Sequence, residues 1–228
     1  MHKKINLLEK LQTFYRAWKQ LENWPTAVNL RLRSNCPRLR LLSFRNGMLL
    51  ACRGATQDWD VINGLALSGE YKPALDFLSE CAGQTVVLDL GANIGVFSLL
   101  CARAHQNCQI HAYEPAPLNS RMAEINRLIN FECTSRIHLH TEAVGGQTRR
   151  AQFCYDDTNP QASGLFHKSG TTYPVQIQSF EEVIKPYAII NLVKMDIEGA
   201  EYEIMEQTSK SAWQKISAIV VEVHDDPN

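Results

Sequence analysis

Residues 86–104 constrain this chain more than any other stretch. Val86-Val87-Leu88-Asp89-Leu90 is an apolar run too short for a helix, and it meets two glycines, Gly91 and Gly95. Val96 to Ala104 then repeats apolar residues at helical spacing. That order reads as a buried parallel strand, a tight turn and a helix packed back on the sheet. Glycine lacks the Cβ that holds a main chain away from a ligand, so Gly91 and Gly95 are expected where the backbone approaches one. The first turn of the helix leaves free N–H groups at the same crevice, which favours a carboxylate-bearing ligand.

Gln109 to Tyr113 reads as a second strand that closes on Glu114. A carboxylate at the end of the strand after a glycine turn, roughly 20 residues on, is placed to accept both hydroxyls of a ribose. Strand, turn, helix, strand and acid together describe an adenosine site. Dinucleotide sites share this layout but use G-x-G-x-x-G to cradle a pyrophosphate. Here the glycines are spaced as Gly91-Ala92-Asn93-Ile94-Gly95, with Asp89 just before them. An acid at the rim suits a ligand with a positive charge, as S-adenosylmethionine has. A methyl donor is therefore favoured over a nicotinamide cofactor. An NAD-dependent oxidoreductase and a non-catalytic binding module are the alternatives.

Four blocks carry a family resemblance. Asp89-x-Gly91-Ala92-Asn93-x-Gly95, Glu114-Pro115-x-Pro117-x-Asn119, Ala143-Val144-Gly145 and Lys194-x-Asp196-x-Glu198-Gly199-Ala200-Glu201 resemble, in order, the motifs of FkbM-type methyltransferases. The likeness runs from about Gly69 to His224. It implies a class I, Rossmann-like α/β fold, with a mostly parallel sheet and helices on both faces. It also implies S-adenosylmethionine as cofactor and, most often, O-methylation of a sugar or natural-product hydroxyl. Asp89, Gly91, Ala92, Asn93, Gly95, Glu114, Pro115 and Asn119 would then bind the cofactor. Glu142, Ala143 and Val144 are expected beside the adenine and Asp196 beside the methionine part. Tyr71 joins them because a similar Glu-Tyr pair precedes the first core strand in the family. Ser179-Phe180-Glu181 stands where the family usually has Ser-Leu-Asp.

A chain of 228 residues with 45% apolar and 21% charged residues has the balance of a folded domain. It can bury roughly 70% of its unfolded surface, so it needs neither disulfide nor metal to fold. The resemblance requires no metal, and a divalent ion held by Asp196 with Glu222 or His224 is the alternative, since oxygen and imidazole ligands suit Mg or Mn. A net charge of −1 lacks the basic footprint of a general nucleic-acid binder. The seven cysteines are odd in number and none is paired as C-x-x-C, which points to a reducing, cytoplasmic setting. The first residues lack the apolar core of a signal peptide, and no run approaches the ~20 apolar residues of a membrane span.

Two regions are expected: an N-terminal extension over 1–80, serving as lid or support, and a cofactor-binding domain over 81–228. Residues 3–22 read as an amphipathic helix that covers the domain, closes over the substrate or contacts a second copy, and Trp24-Pro25 ends it. Alternation over 27–52, starting at Leu30-Arg31-Leu32-Arg33, predicts strands, with Asn46-Gly47 as a hairpin turn. Arginines 31, 33, 38, 40 and 45 either meet an anionic acceptor or form a solvated face. Helix is expected over 58–79 with a break at 69–73, and strands over 137–140, 189–195 and 216–223. Residues 151–155 and 173–177 read as paired strands joined by a polar loop, 156–170, placed beside the acceptor pocket. A complete class I fold adds two further strands, so the chain reads either as a fragment without its C-terminal strands or as a shortened sheet.

Methyl transfer to a hydroxyl asks for alignment and a base. Asp196 and Glu198 follow the end of a core strand, where parallel sheets hold their chemistry, and Lys194 precedes them. His224 follows the fifth strand, and an imidazole titrates near neutrality. Against these roles stand plainer ones: Asp196 bracing its loop, Glu198 capping a helix, His224 lying in a frayed end.

Overall fold

The computed structural model describes residues 7–32, 38–155 and 171–224. They form two compact units, Met1–Glu70 and Tyr71–Asn228. The expected polar loop over 156–170 and Arg33 lie outside the described residues.

The first unit holds helices α1 (Leu7–Gln20) and α2 (Trp24–Leu32), strands β1 (Leu39–Ser43) and β2 (Leu49–Arg53), and helix α3 (Asp58–Ile62), which runs into a π-helical turn, Asn63–Ser68. Ala17 and Leu21 are buried, whereas Leu8, Leu11, Tyr15 and Trp18 are exposed. The hairpin at Asn46-Gly47 forms as expected, with β1 antiparallel to β2. The segment Leu30-Arg31-Leu32 does not extend a strand but closes α2. Two apolar–polar repeats are too few to set a strand, and Pro25 suits the first turn of a helix as well as the end of one. Asp58, buried behind the hairpin, pairs with Arg53 at 2.7 Å and accepts the Arg53 backbone N–H.

The second unit opens on α4 (Lys72–Glu80). It continues with β3 (Thr85–Leu90), α5 (Val96–Ala104), β4 (Cys108–Tyr113), α6 (Pro117–Ile129) and β5 (Ile137–His140). Then come β6 (Ala143–Gly145), β7 (Arg149–Tyr155), β8 (Thr171–Ser179), α7 (Phe180–Ile184), β9 (Ile190–Met195), α8 (Glu201–Gln207), α9 (Lys210–Trp213) and β10 (Ile216–Val221). The main sheet is parallel throughout, in the order β10-β9-β3-β4-β5. This is the Rossmann-like α/β architecture expected. Strands β6, β8 and β7 make a separate small sheet, with β7 and β8 antiparallel over 149–155 and 171–179.

The inner strands β3 and β9 are mostly apolar because they are covered on both sides. Leu88, Leu90, Val193 and Met195 pack with Phe180, Val183 and Ile184 of α7 and Ile204 of α8. Helix α5 lies on β3, β4 and β5. From β3 the chain order leaves in opposite directions: β4 and β5 lie to one side, β9 and β10 to the other. The loops leaving β3 and β9 therefore part, and a crevice opens at the carboxyl ends of these strands. No helix among the described residues is long and apolar enough to cross a membrane.

Candidate functional site

The turn after β3 is held by the strand beside it. Gly91 and Ala92 donate their N–H groups to the Tyr113 carbonyl at 3.0 and 2.9 Å. The Asn93 N–H reaches the Glu114 Oε2 at 2.8 Å, and the Ala116 N–H reaches Oε1 at 2.9 Å. Asn126 of α6, fully buried, donates to the Ile94 carbonyl from below. Packing by itself requires both glycines. At φ +78° a Cβ on Gly91 would sit 1.8 Å from the Asp196 carbonyl oxygen, and one on Gly95 would press on Ala123 at 3.2 Å. Gly91 thus lets the loop after β9 close directly onto the loop after β3.

A cleft opens between these loops. Gly91, Asn93, Tyr113, Glu114, Pro115, Ala116 and Asn119 line it from the β3 and β4 ends. Ala143, Val144 and Phe153 line it from the small sheet, and Asp196, Ile197 and Glu198 from the β9 end. Glu114 is only 6% exposed. Burial pushes its carboxyl up to about 7, against the opposing pull of the Ala116 and Asn93 N–H groups and Lys194. Each of its oxygens accepts one main-chain hydrogen bond and retains a further lone pair.

Asp89 does not stand at the rim. It is wholly buried, its Oδ2 accepts the Ser98 hydroxyl at 2.6 Å, and its Oδ1 lies 3.5 Å from the Lys194 ammonium. As the fifth residue of an inner strand it points into the sheet's packing, so its charge is balanced internally. Lys194 is equally buried and donates to the Gly91 carbonyl at 2.6 Å, with Asp196 Oδ2 at 3.3 Å. Burial opposes its charge, but Asp196 and Asp89 outweigh that and raise its pKa. Lys194 is therefore a fixed cation that pins the two loops, and the acid at the rim is Asp196.

Beyond Asp196 the loop turns sharply, with Glu198 at φ +55°. Glu201, 1% exposed, closes it from inside by accepting the Ile197 N–H at 2.8 Å and the Gly199 N–H at 2.7 Å. The same residue meets His224 Nδ1 at 3.1 Å, while Tyr202 donates its hydroxyl to the His224 carbonyl at 2.9 Å. The other ring nitrogen, Nε2, lies 3.5 Å from Glu198 and 3.8 Å from Asp196. Burial raises the Glu198 carboxyl to about 7; His224 works against the rise and Asp196 and Glu201 add to it. Burial lowers the His224 pKa, yet Glu198 and Glu201 outweigh it and the net shift is upward.

The model of the methyltransferase FkbM domain matches residues 89–228. The chain belongs to the FkbM methyltransferase family. Among curated relatives it is 26% identical over 171 residues to 31-O-demethyl-FK506 methyltransferase FkbM of Streptomyces tacrolimicus, covering 61% of this chain and 65% of that one. It is 25% identical over 165 residues to methyltransferase 1 of Beauveria bassiana, covering 62% and 66%. It is 25% identical over 166 residues to hexuronic acid methyltransferase AglP of Haloferax volcanii, covering 69% and 64%. The chain thus spans slightly under two thirds of these relatives' length. A solved structure, the FkbM methyltransferase of Methylobacillus flagellatus, aligns with a TM-score of 0.45 at 15% identity, over 75% of this chain and 44% of that one.

Set on this FkbM domain, eight of the residues expected at the cofactor line the cleft together: Gly91, Asn93, Glu114, Pro115, Asn119, Ala143, Val144 and Asp196. Ala92 and Gly95 shape the turn behind it. Tyr71 is buried edge-on against Phe97, and Glu142 sits half-buried just before β6; neither is among the described residues that line the cleft. Tyr113, Ala116, Phe153 and Ile197 line it without having been singled out. Tyr113 and Ala116 flank Glu114 in sequence, a usable signal, but nothing local marks Phe153. Glu201 belonged to the fourth motif block, yet only the folded loop shows what it holds.

Proposed function

We propose that this chain binds S-adenosylmethionine in the cleft and transfers its methyl group to a hydroxyl of a sugar or natural-product acceptor. One observation carries the reading. The glycine turn and the buried carboxylate Glu114 are hydrogen-bonded to each other and face the same cleft as Asp196 and Glu198. The names of relatives that methylate FK506 at oxygen or a hexuronic acid support the acceptor class.

The residues fit the donor. Glu114 keeps two lone pairs for the ribose hydroxyls, and an ionised carboxylate is the natural acceptor for both. The walls of Tyr113, Ala143 and Val144 suit an adenine, and Asp196 at the far side suits a cationic methionine end. When bound, S-adenosylmethionine supplies an electrophilic methyl group. The protein's share is alignment and proton removal. Glu198 lines the cleft with a carboxyl raised toward neutrality, which suits it to accept the acceptor's hydroxyl proton. Lys194 holds the loops that carry these groups and keeps its own proton.

Calorimetry with S-adenosylhomocysteine tests the reading directly. Micromolar binding that Glu114→Ala abolishes is the expected result, followed by transfer of radiolabelled methyl to sugar acceptors. Saturable binding of NADH with none of S-adenosylhomocysteine would overturn it.

A further inference from the structure

Glu201 has an unusual set of partners for a residue sealed from solvent. Its Oε1 accepts the Ile197 N–H and faces His224 Nδ1, and its Oε2 accepts the Gly199 N–H. With a main-chain N–H on each oxygen, the carboxylate form of Glu201 has only acceptor capacity left for the ring, and the imidazole nitrogen facing it then carries hydrogen. That fixes the ring. With Nδ1 protonated, the neutral imidazole leaves its lone pair on Nε2. Nε2 is the atom that faces Glu198 and Asp196, at 3.5 and 3.8 Å.

The chain's path makes this arrangement deliberate. Glu201 opens α8, whereas His224 lies past the end of β10, and the two meet because β10 pairs with β9. The Glu222 N–H donates to the Met195 carbonyl at 2.9 Å, continuing the ladder beyond the strands. Tyr202, next to Glu201, fixes the His224 carbonyl. Backbone and ring of His224 are thus both set by the first turn of α8, and its side chain is one-quarter exposed.

We propose that Glu201 is a positioning residue that holds His224 in the Nδ1–H form, so that Nε2 relays the acceptor's proton from Glu198 to solvent. The proposal rests on the methyl-transfer reading for its catalytic meaning. In the step, the acceptor O–H bond breaks, its electron pair stays on oxygen, and the proton passes to Glu198 and then to His224 Nε2. The imidazolium so formed is stabilised by Glu201 on its other side and releases the proton to water.

The test needs neither donor nor acceptor for its first readout. Nitrogen-15 spectra of the full chain, recorded where the imidazole is neutral, should show His224 as the Nδ1–H tautomer. In Glu201→Leu the preference should move to Nε2–H, and in Glu201→Gln, whose carbonyl oxygen can still face the ring, it should persist. The second readout is a double-mutant cycle in methyl transfer. Glu201→Gln should lower kcat at least about tenfold with the dissociation constant of S-adenosylhomocysteine changed less than about threefold. In a His224→Ala background the same change should cost less than about threefold, because the two residues act as one unit. An Nε2–H tautomer in the wild-type protein, or additive losses in the cycle, overturns the proposal. Absence of S-adenosylhomocysteine binding in wild type would instead sink the methyl-donor reading and leave the tautomer result standing on its own. Should Glu201→Leu not fold, His224→Ala and Glu201→Gln carry the cycle.

Discussion

Gly91 and Asp196, 105 positions apart in the chain, are in main-chain contact: the glycine's missing Cβ is the space into which the aspartate carbonyl fits. The loops leaving β3 and β9 are thereby one rigid floor, pinned from beneath by Lys194, whose ammonium reaches the Gly91 carbonyl and both Asp89 and Asp196. Every carboxylate at the β9 end of the cleft is placed relative to that floor.

Gly91→Ala should therefore be far more damaging than its size suggests. A Cβ there meets backbone at 1.8 Å, at a positive φ that alanine disfavours. We expect a loss of more than about 3 kcal/mol in folding stability, or failure to fold. Where the variant folds, S-adenosylhomocysteine binding should be lost. Thermal melts with calorimetry check both.

Removing the buried cation should uncover Asp89. Lys194→Met leaves a wholly buried carboxylate without its counter-charge, at a cost of about 3–5 kcal/mol. Adding Asp89→Asn should recover a large part of that loss, since the uncompensated charge goes with it. Urea unfolding of the two single variants and the double variant measures the coupling.

Glu114 predicts opposite pH trends for stability and for ligand binding. Its folded value of about 7 lies above the ~4.3 of an exposed glutamate, so between these values the native chain holds a proton that the unfolded chain has released. The stability it contributes is fully present below about pH 4 and lost as pH rises through 7. Glu198, raised to about 7 as well, adds a trend of the same sign. Unliganded protein should thus become less stable from pH 5 to 8, with a flatter slope in Glu114→Gln. The ribose hydroxyls need the ionised carboxylate, so S-adenosylhomocysteine should bind several-fold tighter at pH 8 than at pH 6. Calorimetry on wild type and Glu114→Gln separates the two effects.

Asp196 and Glu198 should part in their kinetics. Asp196→Asn removes a rim charge and a partner of Lys194, so donor affinity and kcat should both fall. Glu198→Gln keeps the shape of the cleft and removes the proton acceptor. Its kcat should drop about 100-fold or more, with little change in donor affinity. Single-turnover methyl transfer beside equilibrium binding distinguishes the patterns.

Much of this was legible in the residues. The runs at 86–90 and 190–195 are mostly apolar because the inner strands of a parallel sheet are covered on both faces, and these runs, like those at 109–113, 137–140 and 216–221, are too short for a helix of the core. The turn at Asn46-Gly47 carries its conformation in its own chemistry. The segment at 30–32 was not legible, because two repeats of alternation are compatible with either period, and the surrounding unit decided for helix.

What the sequence determined by itself is the order of strand, turn, helix and acid that places Glu114 beside Gly91, since these are set by local periodicity and the short reach from one strand to its neighbour. Tertiary structure alone decided which acids face the cleft. Asp89 and Asp196 look alike in sequence, each an acid at the end of an apolar strand, yet one is buried against Lys194 and Ser98 and the other stands at the rim. It also decided that Glu201 and His224 meet. Their contact depends on β10 pairing with β9, and the strength of a charge or hydrogen bond is fixed by burial and partners that no single segment carries.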